Sequence, residues 1–518
     1  MIILFHNNFK ITRIQSENLD VVHLVGSKVV KGLIQLVEMV PGSHSIVWCH
    51  ERYSGKLNLD GIKKIAISSN SLYSFNPNKK DFFDRVIGYV DLSISIAKKD
   101  KNKYPTWLVS SAVGVAKIKL IKLALESIPD NSHFDYFLKS FVKLIQNRGL
   151  FSYSEPSLLT GYTYENDTFS VKELCNVVRF TKQHFKFVWI FFLFYTFLIY
   201  EKKYIVFLSF FSLFYKRRYL NTVISIEGLN SSSSIDVSKE RIDVLIPTIG
   251  RETYLLDVLC DLKGQTLLPK NVIIIEQNPD NDSVSNLNYL NDQEWPFEIV
   301  HVFTHQTGAC NARNMGLNHF SSDWLFLADD DIRISEKFIE SALQKMLAIS
   351  CEAASFKCTN VSSVLISEFN PFQWGGFGAG SSIVKKSAIK GCRFGMGYEF
   401  GFGEDGDFGM QIRNHGIDVL FFEAPSLIHL KAPMGGFRNK PVLDWANEIF
   451  SPKPSPTVML YRIKHCTKEQ NITYKLKLFL SFYREQSIKN PIRYYTTFKK
   501  QWGTSQKWAT ILLKRNES

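Results

Sequence analysis

Between residues 241 and 330 the chain alternates short apolar runs with segments of helical spacing. The apolar runs are Ile242–Ile246, NVIIIEQN (271–278), FEIVHVF (297–303) and WLFLA (324–328). Runs of this length, bounded by turn residues, are typical of fully buried strands. ACNARNMGLNHF (309–320) reads as a helix between the last two runs. Strands that alternate with helices predict an α/β domain with a doubly wound, mostly parallel sheet.

Polar residues stand where three of these strands end. Pro247-Thr248 follows the first strand, Glu276 lies near the end of the second, and an Asp run (329–331) follows the fourth. In doubly wound sheets, ligands bind beyond the carboxyl ends of the strands. Three adjacent carboxylates repel one another unless water, a neighbouring Arg or Lys, or a divalent cation offsets their charge. The pattern therefore predicts a ligand site at this edge of the sheet.

The order of motifs resembles that of the family 2 glycosyltransferases, which have the GT-A fold. The resemblance covers about 241–440 and rests on IPTIGR, LKGQTLLPKNVIIIEQN, GACNARNMGL, ADDDI as the DxD-type motif, GAGSSIVKKSAI, GEDGDFGMQIRNHG and HLKAPMGGFR. It implies a catalytic GT-A domain over 241–440. It also implies inverting transfer of a sugar from a nucleotide-diphosphate donor.

The resemblance assigns a metal and a donor site to the Asp run. Asp331 is the expected ligand of Mg²⁺ or Mn²⁺, with Asp329 assisting, and His429 is expected to contact the metal or a phosphate. A divalent ion held by hard oxygen ligands stabilises the charge that grows on a nucleoside diphosphate leaving group. The second strand of the family usually ends in Asp, and Glu276 here leaves the preferred base open. The residues expected around the donor are Pro247, Thr248, Arg251, Glu276, Arg313, Asn314, Asp329, Asp330 and Arg438.

A second carboxylate pair, Glu404-Asp405, stands in the GEDGD segment. An inverting reaction needs a general base that takes the proton of the acceptor hydroxyl. The family places that base in this motif, so Asp405 is the expected base and Glu404 is expected to orient the acceptor. A structural alternative is an acidic pair that the dipole of a following helix stabilises. GMQIRNHG departs from the QxxRW motif of processive members, which favours transfer of a single sugar.

The first 165 residues contain two stretches that can be laid on the catalytic part. FVKLIQNRGLFSYSEPSLL (141–159) aligns with FGMQIRNHGIDVLFFEAPSLI (408–428), and SHSIVWCHERY (43–53) aligns with SSDWLFLADDDI. We therefore expect 1–165 to be a smaller α/β domain and a degenerate GT-A-like copy. Chance similarity of amphipathic segments is the alternative. Its metal strand would end in CHER (49–52) without an Asp, so we expect no bound nucleotide there.

Residues 181–220 predict contact with a membrane. FVWIFFLFYTFLIY (187–200) and YIVFLSFFSLFY (204–215) are apolar and aromatic, and Lys and Arg flank them. Fourteen helical residues reach only about 21 Å, which is short of a hydrocarbon core of roughly 30 Å. An interfacial or re-entrant helical hairpin is the favoured interpretation. A buried helix pair and a single tilted span are the alternatives.

The positive charge of the chain is local. The net charge is +13. Residues 181–220 carry +6 and residues 441–518 carry +9, so the rest of the chain carries −2. Nucleic-acid binding needs a basic face on the folded domain, so this distribution argues against it. The basic, aromatic segment 441–518 predicts amphipathic helices that face anionic lipid. Residues 221–240 contain SSSSIDVSKE and predict a linker.

Together these features predict a membrane-associated glycosyltransferase at the cytoplasmic face, acting in polysaccharide biosynthesis of the cell envelope. The start of the chain has neither a basic segment nor an apolar run as long as a signal-peptide core, so export is not expected. The expected partners are a nucleotide-sugar donor, a glycan or lipid-linked acceptor and an anionic membrane surface. One alternative is a nucleotidyltransferase, although IPTIGRE supplies no Gly-rich triphosphate loop. Another is a non-catalytic sugar-nucleotide-binding or scaffold protein of a glycan assembly complex.

Overall fold

The protein forms two compact units, each built around its own mixed β-sheet. The units are Met1–Glu227 with Cys466–Lys477, and Gly228–His465 with Leu478–Ser518. The α/β class expected from the sequence is confirmed. The computed structural model describes residues 1–16, 22–78, 81–97, 101–128, 133–163, 171–202, 214–220, 229–359, 370–430, 432 and 442–517.

The first unit contains a seven-stranded sheet in the order β2-β1-β3-β6-β4-β7-β5. Its strands are β1 (Ile2–His6), β2 (Ile11–Ser16), β3 (Ser45–His50), β4 (Ser71–Phe75), β5 (Tyr104–Pro105), β6 (Val113–Lys117) and β7 (Phe151–Ser154). Its helices are α1 (Val29–Met39), α2 (Leu59–Lys64), α3 (Phe82–Val86), α4 (Ile118–Ser127), α5 (Phe134–Ile145), α6 (Val171–His184) and α7 (Val188–Thr196).

The second unit is built on a nine-stranded sheet in the order β10-β9-β8-β11-β15-β13-β16-β12, with β14 paired to β16. Its strands are β8 (Ile242–Thr248), β9 (Asn271–Gln277), β10 (Glu298–Thr304), β11 (Trp324–Ala328), β12 (Ile332–Arg333), β13 (Ala353–Thr359), β14 (Phe372–Gln373), β15 (Ser381–Lys385) and β16 (Leu420–His429). The helices that follow in the chain are α8 (Glu252–Lys263), α9 (Tyr289–Asp292), α10 (Ala309–Leu317), α11 (Phe338–Ala348), α12 (Glu404–Asn414), α13 (Pro456–His465), α14 (Lys468–Glu485) and α15 (Pro491–Glu517).

The apolar runs of the sequence become the central strands of this second sheet. All residues of β9 and β11 are buried, and β8 pairs in parallel with both of them. The edge strand β10 is only partly buried, since it has a neighbour on one side. The sheet is parallel from β10 to β11, as predicted, and antiparallel pairing begins where β15 joins β11. The carboxyl ends of the parallel strands therefore meet at one edge.

The two sheets share the pairing of five strands. In the first unit β1 pairs in parallel with β3, β6 lies antiparallel between β3 and β4, and β4 pairs in parallel with β7. In the second unit β8, β11, β13, β15 and β16 repeat the same pairings in the same chain order. The sheets differ beside the first of these strands. There β8 pairs in parallel with β9, which in turn pairs with the edge strand β10, whereas β1 pairs with the antiparallel edge strand β2.

The apolar segment after α6 begins as α7 and continues as a π-helical turn, Phe197–Glu201. One side is buried, as Leu193 and Phe197 show, while Phe191 is 60% exposed. The second arm of the expected hairpin falls largely on 203–213, outside the described residues. In the part of the chain that is described, no helix combines the length and apolar character needed to cross a bilayer.

Candidate active site

A cleft of about 610 Å³ lies at the carboxyl ends of β8, β9 and β11. Its wall includes the residues that follow these strands, the start of α10 and the segment that leads into α12. Of the site residues expected from the sequence, those lining the cleft are Pro247, Thr248, Arg251, Arg313, Asp329, Asp330, Asp331, Glu404 and His429.

Asp330 is the anchored member of the Asp run. Its carboxylate accepts hydrogen bonds from Thr248 Oγ1 at 2.8 Å and from Arg251 Nη1 at 2.6 Å. Burial raises the pKa of Asp330 to about 6, although Arg251 and Thr248 oppose that shift. With these contacts Asp330 holds β8 and β11 together at the base of the cleft. Its two neighbours, Asp329 and Asp331, also line the cleft.

Asp329, Asp331 and His429 form a cluster suited to a divalent cation. Their ligand atoms all lie within 4.8 Å of one another, and His429 Nε2 is 3.1 Å from Asp331 Oδ1. His429 reaches this place because it pairs with Ile332, the residue after Asp331, across β12 and β16. Carboxylate oxygens suit Mg²⁺ and Mn²⁺, and imidazole is also a ligand for first-row metals.

The charge of the cleft also favours a cation. Five carboxylates line it, those of Asp329, Asp330, Asp331, Glu399 and Glu404, against the guanidinium groups of Arg251 and Arg313. Arg251 contacts Asp330 and is 3.3 Å from Asp331 Oδ2, so one guanidinium partly offsets two carboxylates. The remaining negative charge fits the donor set of the cluster to a divalent ion.

Arg313 connects this cluster to the second carboxylate pair. It lies on α10 and is buried, with Nη2 3.1 Å from Asp329 Oδ1 and Nη1 3.7 Å from Asp405 Oδ1. A buried guanidinium keeps its charge and offers donors in a rigid fork. Arg313 therefore fixes the relative placement of the Asp run and the GEDGD segment.

Glu404 and Asp405 open α12, which begins after Gly403 in a left-handed conformation with φ of 115°. Glu404 lines the cleft, while Asp405 Oδ2 accepts a hydrogen bond from the backbone N–H of Ala379 at 3.2 Å. Glu404 Oε2 and Asp405 Oδ1 are buried and accept no hydrogen bond within the described part of the chain. Burial raises the pKa of both carboxyls. A raised pKa makes a carboxylate a better proton acceptor.

The Gly-rich loop before β15 is held against the Asp run from the other side. Arg413 of α12 is fully buried and donates from Nη2 to the carbonyls of Trp374 and Gly376, at 2.5 and 2.7 Å. At Gly380 an added Cβ would lie 1.9 Å from Asp329 Oδ2. Only glycine allows the loop to approach Asp329 this closely.

We expect Gly380→Ala to displace the Asp329 carboxylate and to weaken metal binding by about tenfold. Overpacking of this kind costs about 1–3 kcal/mol. Titration of Mn²⁺ into the protein, followed by the electron paramagnetic resonance of free Mn²⁺, measures the change. Gly503→Ala is the control, because a Cβ there meets nothing within 4 Å. Equal Mn²⁺ affinity in Gly380→Ala and wild type would show that Asp329 is not a ligand.

Glu276 and Asn314 are not part of the cleft wall. Glu276 contacts Ser285 Oγ at 2.5 Å and His301 Nε2 at 2.8 Å, behind the cleft wall. Side chains alternate along a strand, so the next residue, Gln277, faces the cleft instead. Asn314 donates to the carbonyl of Phe394 at 2.7 Å and accepts from its N–H. Arg438 falls outside the described residues.

Sequence reasoning missed Glu399. Its carboxylate accepts hydrogen bonds from the backbone N–H groups of Cys310 and Asn311 at 3.1 and 2.8 Å, at the start of α10. Gly308 precedes the helix with φ of 138°, and a Cβ there would lie 2.3 Å from the Glu399 carboxylate carbon. The only sequence signal was a Gly one residue before the predicted helix. The partner, about 90 residues later in the chain, could not be inferred from spacing.

Part of the sequence matches known glycosyltransferases. Residues 243–370 match the family model of Glycosyl transferase family 2. Glycosyltransferase GlyA of Streptococcus pneumoniae serotype 4 is 26% identical over 115 residues, and the match spans 22% of this chain and 16% of that protein.

Two solved structures are similar at low identity. Residues 1–349 of S. aureus TarS in complex with UDP-GlcNAc match at 14% identity, covering 53% of this chain and 81% of that one, with a TM-score of 0.35. The mannosyltransferase PcManGT from Pyrobaculum calidifontis in complex with GDP-Man and Mn²⁺ matches at 12% identity, covering 53% and 74%, with a TM-score of 0.29. The family match rests on the sequence, and it covers residues 243–370 of this chain.

Proposed function

We propose that the chain is an inverting, divalent-metal-dependent glycosyltransferase that moves one sugar from a nucleotide-diphosphate donor to an acceptor hydroxyl. The observation that carries the proposal is the arrangement around Arg313. One side of this guanidinium contacts Asp329 of the metal cluster, and the other faces Asp405. Arg313 thus has the residues for the charged leaving group on one side. On its other side lies the carboxylate that would take the proton of the acceptor hydroxyl.

The residues divide the work between donor and acceptor. Asp329, Asp331 and His429 would hold Mg²⁺ or Mn²⁺, and the ion would supply positive charge to stabilise the departing diphosphate. Arg251 and Gln277 lie at the ends of β8 and β9, on the donor side of the cleft. Asp405 takes the acceptor proton, and Glu404, which lines the cleft, orients the acceptor. Neither Glu404 Oε2 nor Asp405 Oδ1 accepts a hydrogen bond from the described residues, which supports these roles.

Two other functions are less well supported. A nucleotidyltransferase needs cationic groups for a triphosphate, whereas five carboxylates against two arginines line this cleft. A sugar-nucleotide-binding scaffold without turnover has no use for a second carboxylate pair of raised pKa beside the donor site. Turnover separates these cases, since only a transferase releases nucleoside diphosphate from a nucleotide sugar.

The test is release of nucleoside diphosphate from a panel of UDP-, GDP-, CDP- and dTDP-sugars by the full-length protein. Membrane extract supplies the acceptor, and the assay is run with Mn²⁺ and again with excess EDTA. We expect release from one class of donor that EDTA abolishes. Release that is equal in EDTA would refute metal dependence, and release of pyrophosphate would indicate a nucleotidyltransferase instead.

We further propose that the acceptor is a membrane-bound glycan or lipid-linked saccharide, reached from the cytoplasmic face. The support is an exposed apolar surface on α7 and the turn after it. The exposed side chains of this surface are Phe187, Val188, Phe191, Tyr195, Leu198, Ile199 and Tyr200. Contiguous apolar surfaces of this kind mark sites of membrane or protein contact. The positive charge of 181–220 and 441–518 adds attraction to anionic lipid that salt weakens.

We expect Phe191→Glu to reduce binding to anionic vesicles by at least about tenfold. Burying an exposed Phe stabilises the bound state by about 1.5–3 kcal/mol, and a carboxylate adds repulsion. Co-sedimentation with phosphatidylglycerol vesicles at low and high salt measures the effect. Ile34→Glu is the control, because Ile34 is 46% exposed on α1, outside this surface. If both variants lose vesicle binding equally, or if the wild-type protein does not bind the vesicles, this surface is not a membrane-docking surface.

A further inference from the structure

A second cleft, of about 380 Å³, lies in the first unit at the place that corresponds to the candidate active site. Its wall includes His50, the last residue of β3, and residues that follow β1, β3 and β4, among them Asn8, Arg52 and Asn76. The carboxyl ends of these three strands share one edge, because β6 lies antiparallel between β3 and β4. The first sheet has thus kept a ligand-sized opening at the edge where the second sheet forms its site.

This cleft lacks the residues that are expected to bind a nucleotide diphosphate in the second unit. β11 is followed by three Asp residues, but β3 is followed by Glu51, Arg52 and Tyr53. Glu51 accepts a hydrogen bond from Thr12 Oγ1 at 2.6 Å, and Glu51 is not part of the cleft wall. Among the described residues, the first sheet has no counterpart of β9, whose end supplies Gln277 and Asn278 to the cleft of the second unit. In the described residues, the cluster of three potential metal ligands lies in the second unit.

Charge balance points to a neutral ligand. Three cationic side chains, Arg52, Lys139 and Lys172, and three carboxylates, Asp81, Asp135 and Glu173, line the cleft. Lys139 is buried and already paired with Asp135 at 2.7 Å and with Asp84 at 3.2 Å. No excess of either sign remains for a diphosphate or a divalent cation, in contrast to the acidic cleft of the second unit.

The other groups of the cleft suit a sugar. Four asparagines line it, Asn8, Asn76, Asn78 and Asn176, together with two serines. Amides and hydroxyls both donate and accept hydrogen bonds, as sugar hydroxyls do. The geometry is fixed in advance, since Ser111 Oγ donates to Asn8 Oδ1 at 3.1 Å and Asn76 Nδ2 donates to Asp81 at 3.1 Å.

An aromatic ring stands at the mouth of the cleft. Phe9 is 58% exposed and packs edge-to-face on His133 with ring centroids 5.0 Å apart. Lys172 Nζ lies 4.6 Å from the centroid of this ring, so a cation already covers part of it. The part of the ring that stays exposed costs hydrophobic free energy, and the C–H face of a pyranose can pack against it. We infer that the first unit binds a neutral saccharide in this cleft, without metal and without nucleotide. That this saccharide is part of the acceptor glycan rests on the proposed function. The preference for a neutral sugar does not.

The test is an array of neutral and acidic glycans probed with the full-length protein in EDTA, with Asp331→Asn as the background that silences the second cleft. We expect binding to neutral glycans, and Phe9→Ala or Asn176→Ala to weaken the best of them by at least fivefold. Ile34→Ala, which removes an exposed apolar side chain outside the cleft, should bind as the parent does. Thermal unfolding checks that each variant is folded.

The inference is overturned if no neutral glycan binds, if only acidic glycans bind, or if folded Phe9→Ala and Asn176→Ala proteins bind as tightly as the parent. Competition by UDP or GDP would also overturn it, because the cleft would then hold a nucleotide. Its failure differs from failure of the proposed function. Glycan binding without nucleotide-sugar turnover would refute only the transferase, and turnover without glycan binding would refute only this cleft.

Discussion

Asp331→Asn is expected to lower turnover by about 10²–10³-fold and to weaken Mn²⁺ binding in parallel. Asp331 supplies one of three ligand atoms that lie within 4.8 Å of one another, and Asn cannot supply the negative charge. Metal stabilisation of a leaving group is worth several kcal/mol, and about 1.4 kcal/mol corresponds to a factor of ten. Asn keeps the shape of the side chain, so the fold should survive.

The matched control is Asp323→Asn, which makes the same chemical change at an exposed position just before β11. Turnover and Mn²⁺ affinity are measured for both variants over a range of Mn²⁺ concentrations. High Mn²⁺ should rescue part of the activity of Asp331→Asn if the defect lies in metal binding. If Asp331→Asn binds Mn²⁺ as tightly as the wild type does, Asp331 is not a ligand of the metal.

Asp405→Asn is expected to lower turnover by about 10²–10⁴-fold, the usual contribution of a general base, while donor binding changes little. Arg313 keeps its contact with Asp329 when the Asp405 charge is lost, so the donor side of the cleft stays organised. Calorimetry of nucleoside diphosphate with Mn²⁺ measures binding, and release of nucleoside diphosphate from the donor measures turnover. A loss in turnover without a loss in binding locates the effect in the chemical step.

The pH profile distinguishes Asp405 from Glu404. The base must be deprotonated, so turnover falls as pH drops through its pKa. Because burial raises the pKa of Asp405, this acidic limb should lie at higher pH than for an exposed Asp. Asp405→Asn should abolish the limb, and Glu404→Gln should keep it while weakening acceptor use. If Glu404→Gln abolishes the limb and Asp405→Asn keeps it, the two roles are reversed, as the position of Glu404 in the cleft wall would allow.

The strands of the second sheet were predictable because they are buried on both faces. WLFLA became β11 with the predicted bounds, and the run from Asn271 became β9. A continuous apolar run can be recognised as a buried strand from the sequence alone, without knowing which strand it pairs with. The antiparallel strand β15 was less accessible to such reasoning, because its place beside β11 depends on pairing across about 55 residues of chain.

The site was predictable in its residue types but less so in their contacts. The Asp run at a strand end indicated a ligand, yet only the structure shows that Asp330 is held by Thr248 and Arg251. Glu276 and Gln277 are adjacent, and the pattern could not tell which of them faces the cleft. The capping role of Glu399 and the close approach of Gly380 depend on loops brought together by tertiary structure.

The most direct test of the account is a calorimetric titration of the full-length protein with UDP and with GDP, first with Mn²⁺ and then with EDTA. We expect at least one nucleotide to bind at a single site per chain, and EDTA to weaken this binding at least about a hundredfold, since a divalent ion held by Asp329, Asp331 and His429 would stabilise the charge of the diphosphate. Equal affinity in Mn²⁺ and EDTA would contradict it, and so would the absence of binding by either nucleotide.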